Sequence, residues 1–483
     1  MGVQCPKMLW MKKHHPELFD ESVMDESVLR TGLAVGDLAM GLFGDFKEVP
    51  YGDLTDMIAE TERLLAEGVE NIAEASFAYD GMFCSVDILR VLGGNRVEIY
   101  EVKSSTEVHD IYYHDVAYQV FVLEKLGFQV EKACLVHINR DYVRGKELEI
   151  DKLFTIADLT EMVRGMQPGV AERTRELKEY ILNVEEPEMG LGKHCFDPYD
   201  CGFWGHCTEA LPRWNVFNVA GMQKKTKCRY YDQGIISFED LLTGAKLNDS
   251  QRMQISYEVQ DLDDHIEADS IGSFLETLSY PMYFLDFESF QPAVPLYENT
   301  RPYDQIVFQY SLDFIETEGG ELKHREFLAW PGSDPRRELA EQLCRDIPLG
   351  VCTLAYNMTF EKTRIKELAD LYPDLADHLM DICYNIRDLM VPFQKKQYYN
   401  RAMQGSYSIK YVLPALFPDD PSLNYHNLEG VHNGTEASAA FAEMENMSEE
   451  ELLACRENLL KYCGLDTFAM VKVWEKLREA AGV

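Results

Sequence analysis

The sequence predicts an α/β protein made of two α/β domains joined by a helical connector. Three observations carry this. The chain has 483 residues, well beyond the roughly 100 to 200 that a single domain holds. Residues 1–210 and 277–483 alternate period-2 apolar runs with helical periodicity. Residues 211–276, between them, show only short helical signals such as SFEDLL.

In the first domain, an amphipathic helix is expected from Asp53 to Gly68 and a strand pair from Phe83 to Ser104. A helix from Asp110 to Leu126 and a strand from Ala133 to Ile138 come next. Charged, helical sequence runs from Ile156 to Leu182, before a cysteine-rich loop from His194 to Cys207. The last domain opens on a strand at Tyr283, continues with strands at Ile306 to Phe314 and Val351 to Tyr356, and closes on a helix from Ser448 to about Ala480.

With 46% hydrophobic and 27% charged residues, the composition is that of a soluble globular protein. The chain lacks the apolar run of roughly 18 residues that a membrane helix needs. Its N-terminus, MGVQCPKMLWMKKHH, places basic residues after apolar ones, unlike a signal peptide. The cytoplasm is the expected compartment, and the 12 cysteines are read as thiols or metal ligands rather than disulfides. The net charge of -37 opposes non-specific nucleic-acid binding, so a nucleic-acid partner requires local basic patches. Gly221 to Tyr231 and Phe393 to Arg401 interleave cations with aromatics, as a base-stacking surface or a solvated face does.

The stretch MFCSVDILRVLGGNRVEIYEVKSS reads as a hairpin turning at Gly94. Asp87 then lies opposite Glu101, about 5 Å away, where like charges destabilise unless a cation compensates. Glu101 and Lys103 share one face of their strand. Two carboxylates and an ammonium on one surface suit holding Mg2+ or Mn2+ against a phosphodiester, although E-x-K alone also fits a solvated strand edge.

These residues resemble the PD-(D/E)XK nuclease motif in its RecB-like branch. The resemblance implies a restriction-endonuclease-like fold for residues 1–210, metal binding by Asp87 and Glu101, and catalytic assistance by Lys103. It extends to Gln119 in DVAYQVFVLEKLG, matching the glutamine that follows the E-x-K strand. It reaches Asp37 in GLAVGDLA, where related exonucleases carry an acidic or histidine ligand on an early helix; an Asp after Gly also suits a helix start. HCFDPYDCGFWGHC spaces Cys195, Cys201 and Cys207 evenly, and Cys5 lies near the other end of the domain. That arrangement resembles the iron-sulfur staple of RecB-like nucleases and implies a [4Fe-4S] cluster. The even spacing departs from the commoner pattern, which places two of the late cysteines close together. Zn2+ is the competing reading, since tetrahedral zinc also takes four thiolates and His194 and His206 flank the set; unligated thiols are the third.

In YFLDFESF, alternation puts Phe284, Asp286, Glu288 and Phe290 on one face of a buried strand. Burial and mutual repulsion would raise the carboxyl pKa values unless cations were present. Downstream, VCTLAYNMTFEKTRIKEL reads as a strand running into a helix, with Asn357 at the turn and Glu361 in the first helical turn. YCGLDTFAM puts Tyr462 and Asp466 on one helix face. Together these resemble the DnaQ-like exonucleases of the RNase H-like fold. The resemblance implies that Asp286, Glu288, Glu361 and Asp466 bind two metal ions while Tyr462 orients the attacking water. Glu361 is a departure, because most such enzymes carry Asp there. Lys410, in GSYSIKYVLPALFP, suits either a phosphate contact or loop packing, and Asp381 and Asp388 are candidate supporting acids.

The whole chain resembles an uncharacterised family of RecB-like nucleases. The implied function is a nuclease with two metal-dependent centres, acting on nucleic acid, DNA rather than RNA, in repair or defence against foreign DNA. Two alternatives stand beside it: one centre only grips nucleic acid, or the chain is a non-catalytic scaffold.

Overall fold

The computed structural model describes residues 1–24 and 26–483. It is mixed α/β and divides into two compact units, Met1–Ala210 with Pro292–Asp304, and Leu211–Gln291 with Gln305–Val483.

The first unit is built on a six-stranded sheet with its strands in chain order. These are β1 (Lys47–Glu48), β2 (Asn71–Tyr79), β3 (Met82–Gly93), β4 (Arg96–Lys103), β5 (Gln129–Ile138) and β6 (Phe154–Asp158). The β3–β4 hairpin turns through Gly93 and Gly94, both at positive φ that a side chain resists. Its register pairs Leu89 with Ile99 and Ile88 with Tyr100, the alignment expected from a turn at Gly94, and the ladder ends one pair before Asp87 and Glu101. β4 and β5 run parallel, joined by the helix Asp110–Lys125. Val116, Val120 and Leu123 of that helix cover one sheet face, while Val35 and Ala39 of the helix Glu26–Met40 cover the other.

Two expectations change here. The stretch from Ile156 begins as β6, because Ile156 and Ala157 pair with Val136 and Leu135 of β5, and the helix starts only at Thr160. The cysteine-rich loop contains the helical turns Lys193–Cys195 and Trp204–Thr208. Pro292–Asp304 joins this unit for identifiable reasons: Ala293 lies in the core with Val35, Arg144 N–H donates to the Thr300 carbonyl at 3.0 Å, and the Tyr303 hydroxyl donates to the Ser104 carbonyl.

The second unit has a five-stranded sheet ordered β10-β9-β8-β11-β12 and a two-stranded ribbon, β13-β7. Their strands are β7 (His265–Ile266), β8 (Met282–Phe290), β9 (Ile306–Ile315), β10 (Leu322–Leu328), β11 (Cys352–Ala355), β12 (Ile386–Asp388) and β13 (Tyr398–Tyr399). β8 is central, antiparallel to β9 and parallel to β11. Its alternation holds: Phe284 faces Leu465, Ala469 and Trp474 of the C-terminal helix Glu449–Ala481. Tyr283, Leu285 and Phe287 face Leu339, Ile365 and Leu379 of the helices on the other side. Ser448 caps the C-terminal helix in a capping box with Glu451. The connector, residues 211–276, is mainly helical as expected, but it packs as part of this unit around Val216, Phe238, Leu241 and Ile255.

Neither basic patch offers its aromatics for stacking on bases as a set. Phe393, Tyr398 and Tyr399 are buried with Lys396, and Arg401 pairs with Asp261. In the other patch Tyr230 is buried, and its hydroxyl accepts from the Lys246 N–H at 2.9 Å.

On β10, His324 is clamped between Asp313 at 2.9 Å and Glu326 at 3.2 Å, and these hydrogen bonds raise its pKa from 6.5 to about 9. A raised folded value stabilises fully below 6.5 and is lost as pH climbs through about 9. Partial exposure screens the effect to about 1 kcal/mol. In urea titrations, His324→Gln is expected to lower the midpoint at pH 6 and to match wild type near pH 10.

Candidate metal centres

Oxygens of Asp286, Glu288 and Asp466 come together in the second unit within 4.8 Å of one another. β8 supplies the first two, because alternation along a strand buried on both faces sends both carboxylates to the side of the C-terminal helix. That helix supplies Asp466 and, one turn earlier on the same face, the buried Tyr462, whose hydroxyl feels the Asp466 charge. Burial first, then Asp466 and Glu288, push the Asp286 carboxyl well above its usual range. Glu288 is raised in the same way, and Asp466 reaches about 7 through burial. Such repulsion is what divalent cations relieve.

Glu361 falls outside that 4.8 Å group. It lies in the first turn of the helix Thr359–Leu371, 3% exposed, with one carboxylate oxygen that has no hydrogen-bond partner among the described residues. Its charge still acts on Asp286 and Glu288, and burial lifts its own pKa to about 8. Asn357 holds the preceding turn at φ 69°. Asp388 secures that turn by accepting the Asn357 N–H at 3.0 Å, whereas Asp381 accepts the Gly350 N–H at 2.6 Å, so both serve the backbone.

Sequence reasoning missed Tyr425. Its hydroxyl donates to Asp466 at 2.6 Å and its ring lies 5.9 Å from that of Tyr462. It sits among short turns in PSLNYHNLEG, where no periodicity marks it.

In the first unit, Asp87 accepts the Val102 N–H at 2.6 Å, and burial followed by Glu101 raises its pKa well above the usual range. Glu101 is buried, ion-paired to Lys103 at 2.8 Å, and accepts from Gln119 at 2.6 Å. Lys103 also meets Asp115 at 3.3 Å, and these carboxylates raise its pKa against the opposing effect of burial. Asp37 lies on the helix Glu26–Met40, within electrostatic reach of Glu74.

Glu74 is the second residue missed. The register sets it between the pairs Ala73–Ile88 and Ala75–Val86, level with Asp87, so Glu74, Asp87 and Glu101 form a row across adjacent strands. It holds φ 55°, a strained value for a side-chain-bearing residue in a strand. An acid between two buried alanines in NIAEASFAY was the legible signal. Among the described residues, no three acids of this row or Asp37 gather within 4.8 Å.

Cys5, Cys195, Cys201 and Cys207 line one cavity of about 20 Å³, walled by Met8, Met11, Leu191 and Phe203. Cys5 is the N-cap of the helix Pro6–His14, its sulfur accepting the Met8 N–H at 3.4 Å. Among the described residues, no three of these thiols come within 4.8 Å of one another. Tetrahedral zinc holds its sulfurs about 3.8 Å apart. The four thiols therefore stand further apart than the ligands of a single tetrahedral ion. Burial raises Cys195 to about 11, with Cys201 and Cys207 shifted the same way, so thiolates here need a cation beside them. His206 is engaged by Glu186 at 3.0 Å.

Residues 283–408 match the family model described as a domain of unknown function, DUF2779. The match spans Asp286, Glu288 and Glu361 and stops before Tyr462 and Asp466. The chain is similar to the uncharacterized protein UU173 of Ureaplasma parvum serovar 3 (strain ATCC 700970), 28% identical over 170 residues. That stretch covers 33% of this chain and 24% of the relative, so it spans about a quarter of the relative's length. No solved structure matches.

In the unfolded chain, Asp466 and Glu361 ionise near 3.8 and 4.5; in the folded chain they ionise at about 7 and about 8. Between these limits the folded state binds more protons, so this cluster costs metal-free protein stability as pH rises. Asp286→Asn is expected to melt above wild type at pH 8 without metal, with the gap closing towards pH 5. It is also expected to lose the rise in Tm that Mn2+ gives wild type. For the thiols, anaerobically purified protein is expected to be brown and Cys201→Ser colourless; colourless wild type holding stoichiometric zinc would assign the site to zinc.

Proposed function

We propose that this chain is a metal-dependent nuclease that hydrolyses phosphodiester bonds of nucleic acid. The observation that carries the reading is the convergence of Asp286, Glu288 and Asp466 within 4.8 Å, Glu288 buried and the other two half-buried. An RNase H-like, DnaQ-type reading of residues 277–483 is supported by its elements: an acidic central strand, an Asn357 turn followed by Glu361, and a final helix carrying Tyr462 and Asp466. Bound Mg2+ or Mn2+ would polarise the phosphate and lower the pKa of the attacking water. Asp286, Glu288 and Asp466 would hold the ions, with Glu361 at the wall. The Tyr462 hydroxyl, one helical turn from Asp466, would orient the water, with 3'-to-5' polarity by resemblance.

The PD-(D/E)XK reading of the first unit is supported by Asp87, Glu101, Lys103 and Gln119 meeting at the end of the hairpin. A second reading is that this centre only grips the strand. Its acids are less tightly gathered, and Lys103 is already occupied by Glu101 and Asp115.

Lys103→Ala, Asp286→Ala and the double variant, assayed on labelled single- and double-stranded DNA and RNA with Mn2+, separate these readings. With two working centres, each single variant keeps part of the cutting and the double variant keeps none. If Asp286→Ala alone abolishes cutting, the first centre is a grip. Wild type that cuts nothing under any metal or strand condition ends the nuclease reading.

A further inference from the structure

Three exposed side chains stand at the start of the helix Ile409–Leu416, and the charge of one of them, Lys410, reaches Glu288 and Asp466. Tyr407 is 41% exposed and Tyr411 43% exposed, with the exposed Lys410 between them in sequence. The helix leaves them outside for a plain reason. Val412 and Leu413 enter the core beside Leu465 and Ala469 of the Asp466 helix, so Lys410 and Tyr411 take the opposite face.

The platform is rigidly held. The Tyr407 carbonyl accepts the Tyr356 hydroxyl at 2.7 Å, and Lys396 donates to the Gly405 carbonyl at 2.6 Å. Gly405, at φ 77° and with Gln254 where a Cβ would sit, lets the chain turn there. Among the described residues, Lys410 has neither an ion-pair nor a hydrogen-bond partner, although its charge reaches Glu288 and Asp466.

We propose that Tyr407, Lys410 and Tyr411 form the substrate platform of this centre and select single-stranded nucleic acid. The inference rests on the nuclease reading given above. Two exposed aromatic rings, Tyr407 also lying under the Lys396 ammonium at 6.0 Å, with Lys410 between them in sequence, are what a single strand uses: unstacked bases offer π-faces to the tyrosines, and the connecting phosphate meets the Lys410 ammonium. A duplex keeps its bases stacked internally and cannot use the rings. The platform also supplies local positive charge to a chain of net charge -37. Lys410 would fix the phosphate next to the carboxylates.

The test is anisotropy of a labelled oligothymidylate on the full chain in Ca2+, beside a duplex of equal length, followed by turnover in Mn2+. Wild type is expected to prefer the single strand. Tyr407→Ala with Tyr411→Ala is expected to weaken its binding about tenfold or more, and Tyr407→Phe with Tyr411→Phe to stay within about twofold, because the rings and not the hydroxyls act. The loss should appear in KM rather than kcat. Lys410→Ala is expected to reduce the slope of log affinity against log salt by about 0.7. Alanine variants that bind like wild type, or phenylalanine variants as weak as the alanine ones, overturn the platform. If wild type binds and cuts nucleic acid while these variants are unaffected, this inference alone falls; if wild type binds no nucleic acid, the nuclease reading falls with it.

Discussion

The second unit holds like charges together at the edge of its core, with Glu288 buried and Asp286 and Asp466 half-buried. Asp286 and Glu288 stand on a strand whose two faces are core, and Asp466 is brought against them by a helix that itself buries Leu465, Ala469 and Trp474. The carboxylates cannot move apart without breaking that packing. Apolar contacts therefore hold in place a repulsion that no nearby ammonium cancels at hydrogen-bond range. Buried like charges are costly unless a cation joins them. The scaffold is strong enough to keep the site poised at that cost.

The supporting hydrogen bonds follow from the same constraint. Tyr425 donates to Asp466, giving the half-buried carboxylate a partner that carries no positive charge. Asp388 spends its acceptors on the turn before Glu361 and so fixes where that helix begins. The first unit solves the problem differently. Glu74, Asp87 and Glu101 lie in a row, but Lys103 is bound to Glu101 and Gln119 adds a neutral donor. That centre is partly neutralised from within, whereas the acids of the second meet no ammonium at ion-pair range among the described residues.

Much of this was legible in the sequence because its signals are periodic. Alternation along β8 and the four-residue spacing of Tyr462 and Asp466 assign faces without any structure. The hairpin register likewise followed from one glycine turn. What escaped lacks periodicity or breaks it. Tyr425 reaches Asp466 from a run of short turns, so only tertiary structure pairs them. Glu74 sits where an alternating strand should hold an apolar residue, and its unusual φ cannot be read from residue type. The basic patches misled because charge and aromaticity suggest a surface, while Lys396 and Tyr399 are buried together with the ammonium 4.8 Å from the ring centroid. Pro292–Asp304 escaped as well, since contacts such as Arg144 with Thr300 are invisible to local pattern.

Glu361 shows how length can substitute for position. An aspartate in the first turn of the helix Thr359–Leu371 would carry its carboxylate one methylene nearer the backbone, leaving the cluster further away. The glutamate spans that gap far enough for its charge to act on Asp286 and Glu288, yet stays outside their 4.8 Å circle. One of its oxygens is buried and has no protein donor. A buried acceptor without a partner is expensive, and neighbouring residues in well-packed cores normally supply one. Here they supply further carboxyls, which repel it when ionised and can donate to it only when protonated. Raised pKa values are one way to lower that repulsion; the proposed cation between Glu361 and the cluster is the other, and it alone satisfies the orphaned oxygen while every acid stays ionised.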